Sequence, residues 1–197
     1  MDFTITSTKR RCRGMTLVET LIATGIGTVI LTAVMAVSLF SARSFAGLGN
    51  YVDLDIKSRQ ALDLMSQEIR QVDALTSYAT NQLVFSGTET NGTAYTLSYT
   101  YDPTVQTTNN PTGQTLTRTK TEGGGTASKV LLTGCTYLRF DMFQRSPQTS
   151  TYDLYTASSP ATCKLIQLTW VCSRDVLRGR FSNTESVQSA KVVIRKQ

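Results

Sequence analysis

Polar and apolar positions change their rhythm twice along this chain. A short basic head gives way to an almost wholly apolar run, in which residues 20 to 42 carry no charge. Coiled as a helix, that run spans about 35 Å at 1.5 Å per residue, enough to cross a bilayer. Past it the apolar residues thin to a stripe. Leu48 and Val52, then Leu62, Met65, Ile69 and Val72, recur at three- and four-residue spacing, the mark of one buried helix face. Asp55 and Arg59 stand four apart, a pairing worth about 0.2–0.5 kcal/mol on a helix surface. The first proline is Pro103, so nothing earlier forces a break. Gly47 and Gly49 weaken the join at about 1 kcal/mol each relative to alanine. The pattern predicts one long helix from about 15 to 75, with bending near 47 to 49. A lone coiled coil would need a longer and more regular apolar repeat.

From about residue 80 the period becomes two. Leu83 to Phe85, Tyr95 to Tyr101, Gln114 to Lys120, Lys129 to Leu132, Thr136 to Phe143, Lys164 to Cys172 and Val187 to Arg195 read as strands. Asn-, Gly-, Pro-, Thr- and Ser-rich stretches separate them, notably 109 to 113 and 123 to 125. Surface loops are expected near 102 to 113 and 144 to 162. Ile166, Leu168, Trp170 and Cys172 share one face of their strand. Leu138, Phe140 and Met142 share one face of theirs, with Arg139 and Asp141 opposite. This suits an antiparallel sheet with one buried side, and the Leu62–Met65–Ile69–Val72 stripe is the natural cover. The expected fold is α+β: a long N-terminal helix packed on an antiparallel β-sheet domain.

Charge adds a direction. The formal net charge is +6. Lys9, Arg10, Arg11 and Arg13 against Asp2 place half of it in the first fourteen residues. The basic balance is therefore partly a head group in front of an apolar segment, not a nucleic-acid footprint. Positive residues there hold that end in the cytoplasm and send the rest across. The chain has no histidine, which removes the commonest general base and zinc ligand.

One residue breaks the apolar run. Glu19 lies five positions past Gly14, and an ionisable group at the start of a membrane helix is expensive unless it has a task. The stretch Arg11-Cys12-Arg13-Gly14-Met15-Thr16-Leu17-Val18-Glu19 and the run it opens resemble the class III signal of type IV pilins and type II secretion pseudopilins. The resemblance covers roughly residues 9 to 40. It implies that a prepilin peptidase cuts after Gly14 and that the new N-terminus, Met15, is methylated. Many members have phenylalanine after the cut, where this chain has Met15. The resemblance further implies that Glu19 meets the amine of a neighbouring subunit during assembly. Such a pair sets axial register, because a misaligned subunit leaves a buried charge unpaired. The plain alternative is a Glu19 that snorkels to the headgroups. Ordinary export with cleavage near Ser44-Phe45-Ala46, giving a secreted chain from Gly47, is a further alternative.

Thr16, Thr20, Thr24, Thr28 and Thr32 recur at every fourth residue and form one ridge. With Ala23, Gly25, Gly27, Ala33 and Ala36 they offer a surface on which membrane helices approach closely. Hydroxyls that satisfy themselves on their own backbone are the alternative. Many major pilins carry a proline at the position of Ala36, and its absence points toward a minor subunit.

Cys135, Cys163 and Cys172 would reach an oxidising compartment, where pairing is permitted. One disulfide and one free thiol are expected. Cys135 with Cys163 is the preferred pairing, leaving Cys172 buried; Cys135 with Cys172 is the alternative, and spacing does not decide. No ligand spacing suggests a metal, and no cofactor or catalytic residue is expected. Asp53 and Asp55, two apart on a helix, read as solvated. Lys191, Arg195 and Lys196 read as edge-strand charges, without the aromatic-laced basic surface of a nucleic-acid binder.

The expected organisation is a leader at 1–14, a transmembrane and assembly helix at 15–42, an amphipathic continuation at 43–75 and a β-rich periplasmic domain at 76–197. The expected function is that of a prepilin-like structural subunit, a minor pilin or pseudopilin. It resembles the J-type pseudopilin and W-type minor pilin group in size and strand content, which implies a place near a filament tip. Glu19, Thr20, Thr24, Gly27 and Thr28 would serve assembly. The implied partners are the prepilin peptidase, other pilin or pseudopilin subunits, an inner-membrane assembly platform and membrane lipid. An exported β-rich binding domain that uses the helix only as an anchor is the competing reading.

Overall fold

The computed structural model describes residues 14–104, 113–146, 150, 153–175 and 182–196. Residues 1–13 of the expected leader at 1–14, and 105–112 of the expected loop at 102–113, lie outside them. The chain divides into two compact units, residues 1–45 and 46–197.

Helix α1 runs Leu17–Gln71, and its assignment continues through Gly47 and Gly49. It ends four residues before the expected limit. A strand, β1 (Ala74–Ala79), follows Val72 and Asp73 almost at once. Then come β2 (Gln82–Thr88), β3 (Ala94–Asp102), β4 (Thr115–Glu122), β5 (Gly125–Leu132) and β6 (Cys135–Gln144). After these lie the two-residue β7 (Tyr155–Thr156), a 3-10 turn (Pro160–Thr162), β8 (Leu165–Asp175) and β9 (Ser182–Val193).

The architecture is α+β and every strand pairing is antiparallel. The strands form two sheets where one was expected, in the orders β1-β2-β3-β4-β5 and β7-β6-β8-β9. The first is a simple meander. The β4–β5 hairpin turns on Gly123 and Gly124 at φ of 56° and 86°. Two successive positive φ values make a type I′ turn, whose twist matches that of the strands it joins.

One hydrophobic core joins the sheets and the second half of α1. The helix contributes Leu54, Ala61, Met65 and Ile69, with Val72 just past its end. Leu62 is only partly buried, so the covering stripe starts further back than expected, at Leu54. From the strands come Phe85, Tyr99, Leu116, Phe140, Ile166, Leu168 and Trp170, all at 0% exposure. Phe85 and Tyr99 meet edge to face at 6.3 Å between ring centroids, a preferred aromatic geometry.

Polar contacts fasten the sheets to each other. Phe140 N–H donates to the Thr80 carbonyl at 2.9 Å, and the Tyr78 hydroxyl donates to the Phe140 carbonyl at 2.9 Å. Tyr101 Oη donates to the Cys135 carbonyl at 2.8 Å in a buried position.

The part of the helix from Asp53 onward lies against both sheets. At its start, Trp170 Nε1 of β8 donates to Ser58 Oγ at 3.4 Å, and Arg174 pairs with Asp53. Asp53 also meets Lys57 at 3.1 Å. Its side chain is 41% exposed, solvated as expected, and it also reaches the sheet through Arg174. Its carboxyl is held below the usual range by Lys57 first, with Arg174 adding to the effect. Towards the end of the helix, Glu68 takes Arg118 of β4 and the Tyr99 hydroxyl of β3. Burial, then the Glu68 charge, push the Tyr99 phenol far above its ordinary range.

The disulfide corrects an expectation. Cys135 is bonded to Cys172, and Cys163 is the buried free thiol. Cys135 and Cys172 sit directly opposite each other in the β6–β8 ladder. Cys163 stands before the other end of β8, next to Lys164, whose N–H bonds to the Phe143 carbonyl at the far end of β6. A disulfide needs Cα atoms a few ångströms apart, and the full length of β6 separates Cys163 from Cys135.

Candidate assembly site in the N-terminal helix

The site is built from the first turns of α1. Thr16 precedes the first helical residue and acts as its N-cap: its Oγ1 accepts a hydrogen bond from Glu19 N–H at 3.3 Å. Its carbonyl accepts the first helical bond, from Thr20 N–H at 3.2 Å. Thr16-Leu17-Val18-Glu19 therefore has the S/T-x-x-E form of a capping box, with the acid at the third helical position. The signature is written in the sequence as the three-residue spacing of Glu19 from Thr16, beside the more conspicuous charge of Glu19. A carboxylate in the first turn also faces the positive end of the helix dipole, worth about 0.3–1 kcal/mol at an exposed site. Glu19 thus has a local reason for its position in addition to any partner.

Gly14 and Met15 precede the helix and are exposed, Met15 at 70%. An ideal Cβ on Gly14 would meet nothing within 4 Å.

The threonine ridge resolves into a repeated local bond. The hydroxyls of Thr20, Thr24, Thr28 and Thr32 donate to the carbonyls of Leu17, Leu21, Gly25 and Val29 at 2.8, 3.0, 2.8 and 2.8 Å. Each is satisfied within its own helix. With each hydroxyl so engaged, the ridge keeps its methyl groups for outside contacts, and Gly25 and Gly27 lie beside it, where an added Cβ would again meet open space. Leu17, Val18, Leu21, Ile22, Ile26, Val29, Ile30 and Leu31 are all more than half exposed. The helix is long and apolar enough to cross a membrane, and none of its most apolar stretch is buried.

The β domain offers no comparable chemistry. Among the described residues no three His, Cys, Asp or Glu side chains gather as a metal cluster. Arg139 and Asp141 pair with each other at 2.8 Å. Lys120 is shared between Glu89 and Glu122 and lies 4.5 Å from the centre of the Tyr95 ring. Lys196 is engaged by Asp73 at 2.7 Å. Burial pushes the Cys163 thiol up, away from the reactive thiolate.

No curated protein and no solved structure matches the chain. Residues 9–35, which hold Gly14, Met15, the Thr16–Glu19 cap and the threonine ridge, match the family model described as the prokaryotic N-terminal methylation motif: the chain carries the class III prepilin signal of type IV pilins and pseudopilins.

Proposed function

We propose that this chain is a minor pilin or pseudopilin, a structural subunit that loses residues 1–14 and joins a thin filament through its N-terminal helix. The observation that carries the reading is the placement of one acid, Glu19, in the first turn of a helix whose next 23 residues, 20–42, carry no charge, inside a matched methylation motif. Cleavage after Gly14 creates an amine at Met15, one helical turn from Glu19. In lipid, carboxylate and ammonium are each costly alone. Subunits that bring the acid of one to the amine of the next remove both costs, and only one axial register does so. Gly27 and the Thr20, Thr24 and Thr28 methyl groups then let neighbouring helices approach.

The chain would sit in the inner membrane with the β domain in the periplasm before assembly. An assembly platform and lipid are its surroundings at that stage. Size and strand content favour a tip position of the J-type pseudopilin or W-type minor pilin kind. The mechanism is assembly, and no catalytic step is assigned to the chain.

The test has two arms. Intact mass of the membrane-extracted chain, with and without a prepilin peptidase, should show peptidase-dependent loss of Met1 to Gly14 and one added methyl on Met15. Glu19→Ala should still be cut and inserted but should vanish from sheared filaments. A chain beginning near Gly47, or an alanine variant incorporated as well as the parent, would overturn the reading in favour of a secreted domain or a simple anchor.

A further inference from the structure

The last strand leaves one edge of the second sheet without a neighbour among the described residues, since β9 is hydrogen-bonded to β8 alone. Which backbone groups face that open edge follows from one bond. Ile194 N–H donates to the Lys164 carbonyl of the β8 side at 3.0 Å. The register then runs unshifted from Leu165↔Val193 to Arg174↔Thr184. In an antiparallel ladder both polar groups of a residue point the same way, and successive residues alternate. Ser186, Gln188, Ala190 and Val192 therefore spend theirs on β8. Glu185, Val187, Ser189, Lys191 and Val193 aim theirs outward.

Over residues 185–193 the same five carry the exposed side chains. Val187 is 64% and Val193 46% exposed. The strand is twelve residues long and holds no proline. Proline, bulges and shortness are the usual protections of an edge; this one is long, regular from residue 184 onward, and partly apolar.

We propose that β9 pairs edge to edge with β9 of a second copy of this chain, antiparallel about a two-fold axis through Gln188. In that register Glu185 stands opposite Lys191 of the second copy, and Lys191 opposite its Glu185. Val187 faces Ser189, Ser186 faces Ala190, and Gln188 faces itself. Every residue that aims its backbone outward meets another that does the same, so donors find acceptors along the ladder. Opposite charges directly across strands stabilise such a pairing. Moving the axis to Ser189 keeps the backbone parity but sets Glu185 against Val193 and Lys191 against Val187, covering both charges with apolar side chains. The self-complementary charges thus select one register. The other long edge lacks this property: β5 carries Lys129 and no acid. An interface of this kind uses the same surface on both partners, so it closes on itself and adds no third copy. The inference stands apart from the filament reading, since it uses no residue before 185.

The test uses the full-length chain in its native membranes with Gln188→Cys. Cys135 and Cys172 are bonded and Cys163 is buried; with Cys12 of the leader replaced by Ser, oxidation with copper phenanthroline should report on position 188. The expected result is a dimer on non-reducing gels, with a peptide linked 188 to 188 by mass spectrometry. Adding Glu185→Lys should lower its yield severalfold, and Glu185→Lys with Lys191→Glu should restore it, because the swap recreates the opposite charges. Rescue by the double swap separates lost pairing from lost folding. No linked dimer, a yield indifferent to the single reversal, or linkage mainly to a different protein would each overturn the proposal.

Discussion

Residues 17–42 and residues 54–71 belong to one helix, yet they handle polar groups in opposite ways. In the first stretch the threonine hydroxyls turn back onto carbonyls three residues earlier, and the apolar side chains stay exposed. In the second stretch Asp55 and Arg59 still pair along the helix, but other polar side chains meet strands: Ser58 meets Trp170, and Glu68 meets Arg118 and Tyr99. The contrast is one of solvent. A helix that must be stable in lipid can rely only on itself for hydrogen bonds. A helix covered by a folded domain can place a buried polar group wherever a strand supplies its partner. The second half is therefore specified by the domain, and the first half is self-sufficient until a partner arrives.

The largest test of that division is Trp170→Ala. It removes a side chain at 0% exposure beside Ser58, so the β domain should lose about 3–5 kcal/mol. Thermal unfolding of the detergent-solubilised chain, followed by near-ultraviolet circular dichroism, would show it. Leu31→Ala in the exposed half should leave the same transition in place; an equal loss there would erase the contrast.

A smaller effect belongs to the ion pair under the helix. Glu68 and Arg118 are 17% and 16% exposed. Arg118→Met strands a carboxylate beside the Tyr99 phenol and should cost about 1–3 kcal/mol. Adding Glu68→Gln should recover part of that loss. Equilibrium denaturation of the two single variants and the double variant measures the coupling, and strict additivity would mean that the helix is held by packing alone.

The smallest effect is expected for Thr24→Val with Thr28→Val. If both hydroxyls only satisfy local carbonyls, helix content and membrane insertion should change by less than about 0.5 kcal/mol. A measurable loss of helicity in bilayers would mean that they bond elsewhere.

Much of the fold was legible because burial imprints a period. Met65 and Ile69 on the helix, and Phe140, Leu168 and Trp170 on the strands, all stand where their spacing placed them. What spacing does not encode is which strand lies beside which. The alternation that oriented β6 and β8 is the same in one sheet or two, so the division into two sheets was invisible. The disulfide followed from that gap, since choosing Cys172 over Cys163 requires the β6–β8 register. β1 was missed because it begins two residues after the helical stripe ends, and its Ala74-Leu75-Thr76-Ser77-Tyr78-Ala79 has little alternation. β5 was found from Lys129 onward only: its first six residues are all exposed, so no burial pattern marks them. At the site, Gly14, Glu19 and the threonine ridge were all visible, while the cap at Thr16 was not, although its three-residue spacing from Glu19 was there to read.

The self-satisfied threonines have one more consequence. A helix whose hydroxyls are bonded internally owes nothing to either of the surroundings it meets. Leaving lipid for a protein bundle then breaks no hydrogen bond, and returning requires none to be remade. The exchange trades one set of dispersion contacts for another of similar strength. Whatever cost the proposed transfer from bilayer to filament carries therefore falls on Glu19 and the new amine, and the threonines add nothing to it.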